Sequence, residues 1–259
     1  MIVENDTILI IDYGSQYTQL IARKIREQNV YCLVHPYNKI NSKMLINKNL
    51  SGIILSGGPN SVNDLKSPKL DKKILTLKIP ILGICYGLQL LCKEFKGKIG
   101  QSSSREYGHS LINHNNKSLL FKNVKKTSQV WMSHGDHIER EPNKFIVTSY
   151  SNKNVISSIE NKKKMIFGLQ FHPEVYHSLD GKKIPLLDES VIMKLSRETG
   201  KNKQISLYVQ DKFNLYVHIH SNSEIKIEGV LNSPISSDEL NKELQEILAP
   251  IFNDLNNFH

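Results

Sequence analysis

The stretch "IPILGICYGLQLLCKEF", residues 79–95, changes its hydrophobic rhythm in the middle. Ile79 to Ile84 form a short apolar run opened by a proline, which suits a buried parallel strand. From Tyr86 to Phe95 the apolar groups recur at helical spacing instead. Cys85 therefore falls on a strand-to-helix turn, with Gly83 and Gly87 close on either side. The layout is that of a nucleophile elbow carrying a thiol in place of a hydroxyl. Small neighbours admit a substrate, and a helix N-terminus favours the reactive thiolate. A buried structural cysteine fits the same few residues.

Toward the N-terminus, "TILIIDYGSQYTQLIARKIREQNVYCLVHPY" (7–37) carries a β-α-β pattern. Thr7–Asp12 reads as a strand, Gln16–Glu27 as a helix with Leu20, Ile21 and Ile25 on its apolar side, and Val30–His35 as a second strand. Gly52–Leu55 and Ile81–Ile84 add further short apolar strands at crossover distances. This predicts an α/β class fold, a parallel sheet with helices on both faces. Beyond Gly97 the texture turns polar, with strands at Gln129–Met132, Phe145–Ser149, Val155–Glu160 and Met165–Phe171, several of them antiparallel. Past Gly181 it changes again. Leu187–Glu198 reads as a helix, and Ile205–Gln210, Phe213–His220 and Glu224–Val230 as a meander. A capped helix then runs from Ser236 or Ser237 to about Asn256. The expected organisation is a main domain at 1–183 and a small α+β appendage at 184–259.

The 259 residues are 39% hydrophobic and 23% charged, the balance of a globular chain. No apolar run reaches membrane-span length, and Met1–Asp6 lacks the start of a signal peptide. Three cysteines, Cys32, Cys85 and Cys92, show neither paired nor metal-ligand spacing, so a reducing cytoplasm and no metal are expected. The net charge of +9 is uneven: residues 184–259 carry −4, which leaves +13 on residues 1–183. The lysines are scattered and not interleaved with aromatics, which argues for a solvated basic surface and against nucleic-acid binding.

Two further motifs carry chemistry. "LQFHPEV" (169–175) ends a strand with His172 and Glu174 two residues apart, hence on one side, with Pro173 stiffening the step. A cysteine nucleophile needs a base, and the base needs an orienting partner; Cys85, His172 and Glu174 can fill those roles. Singly, His172 reads as a satisfied strand-end histidine and Glu174 as a surface carboxylate. "LSGGPNSV" (55–62) follows another strand, and its glycines free backbone N–H groups. Those of Gly58 and of Tyr86, the residue after Cys85, would form an oxyanion hole. Gly-Gly-Pro alone also occurs in ordinary turns.

Together, "GICYGLQ", "SGGPNSV" and "LQFHPEV" resemble the class I (triad) glutamine amidotransferases. "IDYGSQYTQLIARKIRE" (11–27) and "WMSHGD" (131–136) make the chain most similar to the glutaminase part of GMP synthetases, over roughly residues 6–183. The resemblance implies a flavodoxin-like, mostly parallel sheet. It implies hydrolysis of L-glutamine, with Cys85 attacking the side-chain amide, and it casts Gln89, Ser133, Asp136 and Tyr176 as contacts to the substrate. Asp136 suits the α-ammonium, though an aspartate after glycine is also common in turns.

The family's partner chemistry is missing from this sequence. The only Ser-Gly-Gly, Ser56–Gly58, runs into proline and lacks the form of an ATP-pyrophosphatase loop. The expectation is a chain without cofactor, feeding ammonia to a separate ATP-pyrophosphatase (synthetase) partner that holds ATP and Mg and converts XMP to GMP. The alternatives are a catalytically silent glutamine-binding relative, an amidotransferase for another acceptor, and, more remotely, a cysteine peptidase on a similar scaffold.

Overall fold

A computed structural model describes residues 7–28, 30–46, 50–115, 118–121 and 124–184, together with three strands beyond residue 203. The chain divides into two compact units, Met1–Asn202 and Lys203–His259. In the first unit, strand β1 (Thr7–Asp12) leads to helix α1 (Thr18–Arg26) and back to β2 (Tyr31–Pro36). A single helical turn, α2 (Ser42–Leu45), precedes β3 (Leu50–Leu55); β4 (Ile81–Ile84) and helix α3 (Tyr86–Glu94) follow. Then come β5 (Lys98–His114), β6 (Thr127–Arg140), β7 (Ile146–Ser151), β8 (Ile156–Asn161) and β9 (Ile166–Leu169).

These nine strands form one sheet in the order β2-β1-β3-β4-β9-β8-β6-β5-β7. The first five run parallel. The last four pair antiparallel and close on themselves, because β7 contacts both β5 and β8. Strand alternation explains how both faces are covered. Ile8 and Ile10 of β1 pack in one core with Ile21, Ala22 and Ile25 of α1, whereas Leu9 and Ile11 pack in the other with Leu88 and Leu91 of α3. The two helices therefore lie on opposite faces of an α/β sheet, as the sequence pattern requires.

The sequence reading missed β5 and shortened β6. "GQSSSREYGHS" (100–110) is too polar for a core strand, and the ladder slips between Gln101 and Glu106. Outside the parallel half, β6 alternates between buried and partly exposed residues. Ser128 and His134 of β6 and Glu106, Ser110 and His114 of β5 nevertheless take buried positions, so no apolar alternation marks these strands. In the second unit β10 (Gln204–Val209), β11 (Phe213–His220) and β12 (Ile225–Leu231) form the expected antiparallel meander. The helices read at 187–198 and 236–256 lie outside the described residues.

Candidate active site

Topology brings the motifs to one edge. Ile84 of β4 is in register with Leu169 of β9, and Leu55 of β3 with Gly83 of β4. The residues after these parallel strands therefore emerge side by side at the carboxyl ends, where open α/β sheets bind ligands. Cys85 N–H donates to the Leu169 carbonyl at 2.7 Å, which ties the elbow to the strand leading to His172.

Cys85 has φ 51° and ψ −105° at the N-terminus of α3, a strained conformation for a residue with a Cβ. The glycines around it serve packing more than substrate access. A Cβ on Gly83 would stand 2.6 Å from the backbone of Gly87, and one on Gly87 only 2.3 Å from the Leu55 carbonyl oxygen. Strand and helix touch backbone to backbone here, which is what forces so sharp a turn. The Cys85 thiol donates to the Ser133 carbonyl at 3.6 Å.

His172 Nδ1 donates to Glu174 Oε1 at 2.7 Å, and both side chains are buried. Burial pulls the imidazolium down, but the Glu174 carboxylate and the adjacent Cys85 outweigh it and hold His172 well above the usual histidine range. Glu174 Oε2 is buried without a hydrogen-bond partner among the described residues, so the imidazolium is the main compensation for that charge. The turn itself is held from outside. His172 N–H donates to the Trp131 carbonyl at 3.0 Å, the Ser178 hydroxyl to the His172 carbonyl at 2.6 Å, and the Lys24 ammonium to the Pro173 carbonyl. Tyr17 meets the imidazole edge-on, with ring centres 4.9 Å apart.

A cavity of about 660 Å³ opens at this edge, lined among others by Cys85, His172, Gly58, Gln89, Ser133 and Asp136. Gln89 Nε2 donates to the Asp136 carbonyl at 2.9 Å, and the Ser61 hydroxyl donates to the Asp136 carboxylate. A Cβ on Gly57 would lie 3.1 Å from His172 Cε1, so the loop containing Gly58 borders the imidazole. Tyr86 contributes its backbone at the start of α3, while its buried side chain turns away to donate to the Pro68 carbonyl at 2.6 Å. Tyr176 is set apart from the rest: it does not line the cavity, it is 85% exposed, and its ring lies against His177. Sequence reasoning passed over Tyr17, Tyr107 and His134, which also line the cavity. The first sits in the "DYGSQYT" turn after β1, so its place at the carboxyl edge was the available signal. No group of three or more metal-ligating side chains occurs among the described residues. No helix among them is long and apolar enough to cross a membrane.

A nucleophile elbow on a parallel sheet, facing a buried histidine–carboxylate pair, defines an α/β protein built for acyl transfer. The family model "Glutamine amidotransferase class-I" matches residues 9–188, and the chain belongs to that family. It is 48% identical over 173 residues to a glutamine-hydrolyzing GMP synthase of Petrotoga mobilis, a match spanning 67% of this chain and 33% of the relative. It is 43% identical over 182 residues to that of Clostridium tetani, spanning 70% and 36%. The matched region thus spans about a third of these relatives' length. Among solved structures, one GMP synthase subunit, from Thermoplasma acidophilum, is 26% identical. Its TM-score is 0.63, over 75% of this chain and 98% of that one. A glutamine amidotransferase of Thermotoga maritima, at 21% identity and TM-score 0.56 over 75% and 86%, shares the fold.

Proposed function

We propose that this chain hydrolyses L-glutamine through Cys85, His172 and Glu174 and delivers the ammonia to an ATP-pyrophosphatase partner that aminates XMP to GMP. The observation that carries the reading is the buried His172–Glu174 pair set beside a strained cysteine. Cys85 gives its proton to His172 and attacks the amide carbon, and the oxyanion that forms faces the backbone N–H groups of Gly58 and Tyr86. His172 returns the proton to the leaving ammonia, and water, deprotonated by the same imidazole, opens the thioester to glutamate. Gln89, Ser133 and Asp136 hold the substrate, with the Asp136 carboxylate toward its α-ammonium. Tyr176, as placed here, would reach glutamine only by turning inward. The steps call for no cofactor in this chain, since ATP and Mg belong to the partner's half of the reaction, and all of them suit a cytoplasmic enzyme.

The test is incubation with glutamine, with and without an ATP-pyrophosphatase chain of a GMP synthase, XMP and ATP. Glutamate release, with GMP formed only when the partner is present, is expected. Glutamine left intact under both conditions overturns the reading in favour of a silent relative. Glutamate release without GMP points to another acceptor.

A further inference from the structure

Glu106 and His134 stand directly opposite one another on β5 and β6, immediately after the slip in that ladder. Both are buried, at 4% and 5% exposure, and Glu106 Oε2 lies 3.2 Å from His134 Nε2. A polar pair at this depth is costly to desolvate and is a weak source of stability by itself. Its other contacts show what it does. Glu106 Oε1 accepts from the Ser151 hydroxyl at 3.2 Å, which fixes the carboxylate against β7. His134 Nδ1 is 3.0 Å from the Asp136 carbonyl oxygen, the same oxygen that accepts from Gln89 Nε2 at 2.9 Å.

A carbonyl oxygen only accepts, so His134 Nδ1 must carry a proton. Nε2 lies 3.2 Å from the Glu106 carboxylate, which holds that end of the ring against β5, although neither Nε2 nor Oε2 has a well-aligned hydrogen-bond partner among the described residues. Burial raises Glu106, but His134, Ser151 and Lys153 together hold it below the ordinary carboxylate value. With Nδ1 committed to Asp136, a flip of the ring would break that bond and turn a carbon toward the carbonyl. The pair therefore clamps the peptide of the residue assigned to the substrate's α-ammonium, while Ser61 holds its carboxylate.

We infer that His134, locked by Glu106, is a positioning residue that sets glutamine affinity by fixing Asp136. The inference rests on the proposed function for the identity of the ligand. It is separable by two substitutions that keep opposite ends of the ring. His134→Asn retains a donor near the Nδ1 position, toward Asp136; His134→Gln retains one near Nε2, toward Glu106. Binding of L-glutamine to the full chain is measured calorimetrically in a Cys85→Ala background, and KM and kcat with Cys85 present. His134→Gln should weaken binding and raise KM about tenfold with kcat changed less than about threefold, the scale of one lost hydrogen bond. His134→Asn should recover most of that affinity even though it strands Glu106 and lowers the melting temperature. The double variant His134→Asn with Glu106→Gln relieves the stranded carboxylate and gives a folded protein for the same titration. Equal affinity in both single variants, or better binding by Gln than by Asn, overturns the inference and leaves the pair a structural filling. Failure of the folded Cys85→Ala parent to bind glutamine overturns the assignment of the ligand, and this inference with it.

Discussion

His172 Nδ1 lies 2.7 Å from Glu174 Oε1, and the two residues between which the proton is shared are both buried within one turn of chain. The carboxylate raises the imidazolium's pKa well above the ordinary histidine value of 6.5. A raised folded-state value adds stability that is fully present below about pH 6.5 and is lost as pH rises through the folded pKa. Glu174→Gln removes the opposite charge. As the base that takes the Cys85 proton, His172 must be unprotonated, so its pKa sets the acid limb of kcat/KM, which should move to lower pH by about one unit or more. Its stability deficit against the parent should be largest at acid to neutral pH and shrink on the alkaline side. Coincident acid limbs in the two pH profiles would show that Glu174 does not govern the base.

The same pair grades the two partners of the thiol. His172→Ala removes the proton carrier for both half-reactions and should leave almost no glutaminase. Glu174→Gln keeps a neutral partner at the Nδ1 position, so a loss on the order of a hundredfold is expected, by comparison with orienter changes in other triads. Steady-state glutamate release measures both. Equal loss in both variants would give the carboxylate a role beyond orientation.

The three cysteines should react very differently. Burial pushes Cys92 up to about 12 and raises Cys32 as well, and both are sealed in the cores. Cys85 lines the cavity instead. A glutamine-like electrophile at about pH 8, near the ordinary thiol range, should modify Cys85 alone, read by peptide mass spectrometry. Cys85→Ala should abolish both labelling and turnover while melting near the parent. Labelling at Cys92 in the folded protein would contradict the packing of α3.

Gly87 and Gly108 make a matched pair of tests for the elbow. At Gly87 a methyl group meets the Leu55 carbonyl at 2.3 Å, backbone that cannot move aside. Gly87→Ala should therefore cost about 2–3 kcal/mol by overpacking. Gly108 has φ 91°, but a Cβ there would meet nothing within 4 Å. Gly108→Ala should cost only about 1–2 kcal/mol, from backbone strain. Denaturant melts decide between them; equal costs would mean that strand and helix can separate at the elbow.

What could be read from the sequence follows from where burial is two-sided. Ile8 to Ile11 and Ile81 to Ile84 are enclosed on both faces, so their apolar runs are unambiguous and the motifs that end them fall at one edge. Cys85 and His172 could be matched because each directly follows such a run. Glu106 and His134 could not, since their partnership depends on a register slip between long polar strands, and polar alternation does not mark one. Tyr176 was assigned by resemblance of sequence position, and nothing local to it reveals that its ring turns outward onto His177. Leu20 was read on the apolar side of α1, yet it is exposed, and Lys24 is buried in its place.

That lysine supports the last prediction. Lys24 is 8% exposed on α1, and its ammonium donates to the carbonyl of Pro173, the residue between His172 and Glu174. A helix on one face of the sheet thereby holds the turn of the proposed triad by its middle peptide. A charge-assisted bond of this kind is stronger than a neutral one, and it fixes the turn at the point where a small rotation would separate imidazole from thiol. Lys24→Met keeps the length and apolar stem of the side chain, so the helix should still pack. The expected result is a fall in kcat of about tenfold with little change in KM, because the residues proposed to hold glutamine, Gln89, Ser133 and Asp136, lie on other elements, α3 and β6. Lys24→Arg can donate to the same carbonyl and should restore part of the rate. A rise in KM with kcat intact would place Lys24 with the substrate contacts. Unchanged kinetics in both variants would show that the bonds from Trp131 and Ser178 hold the turn without it.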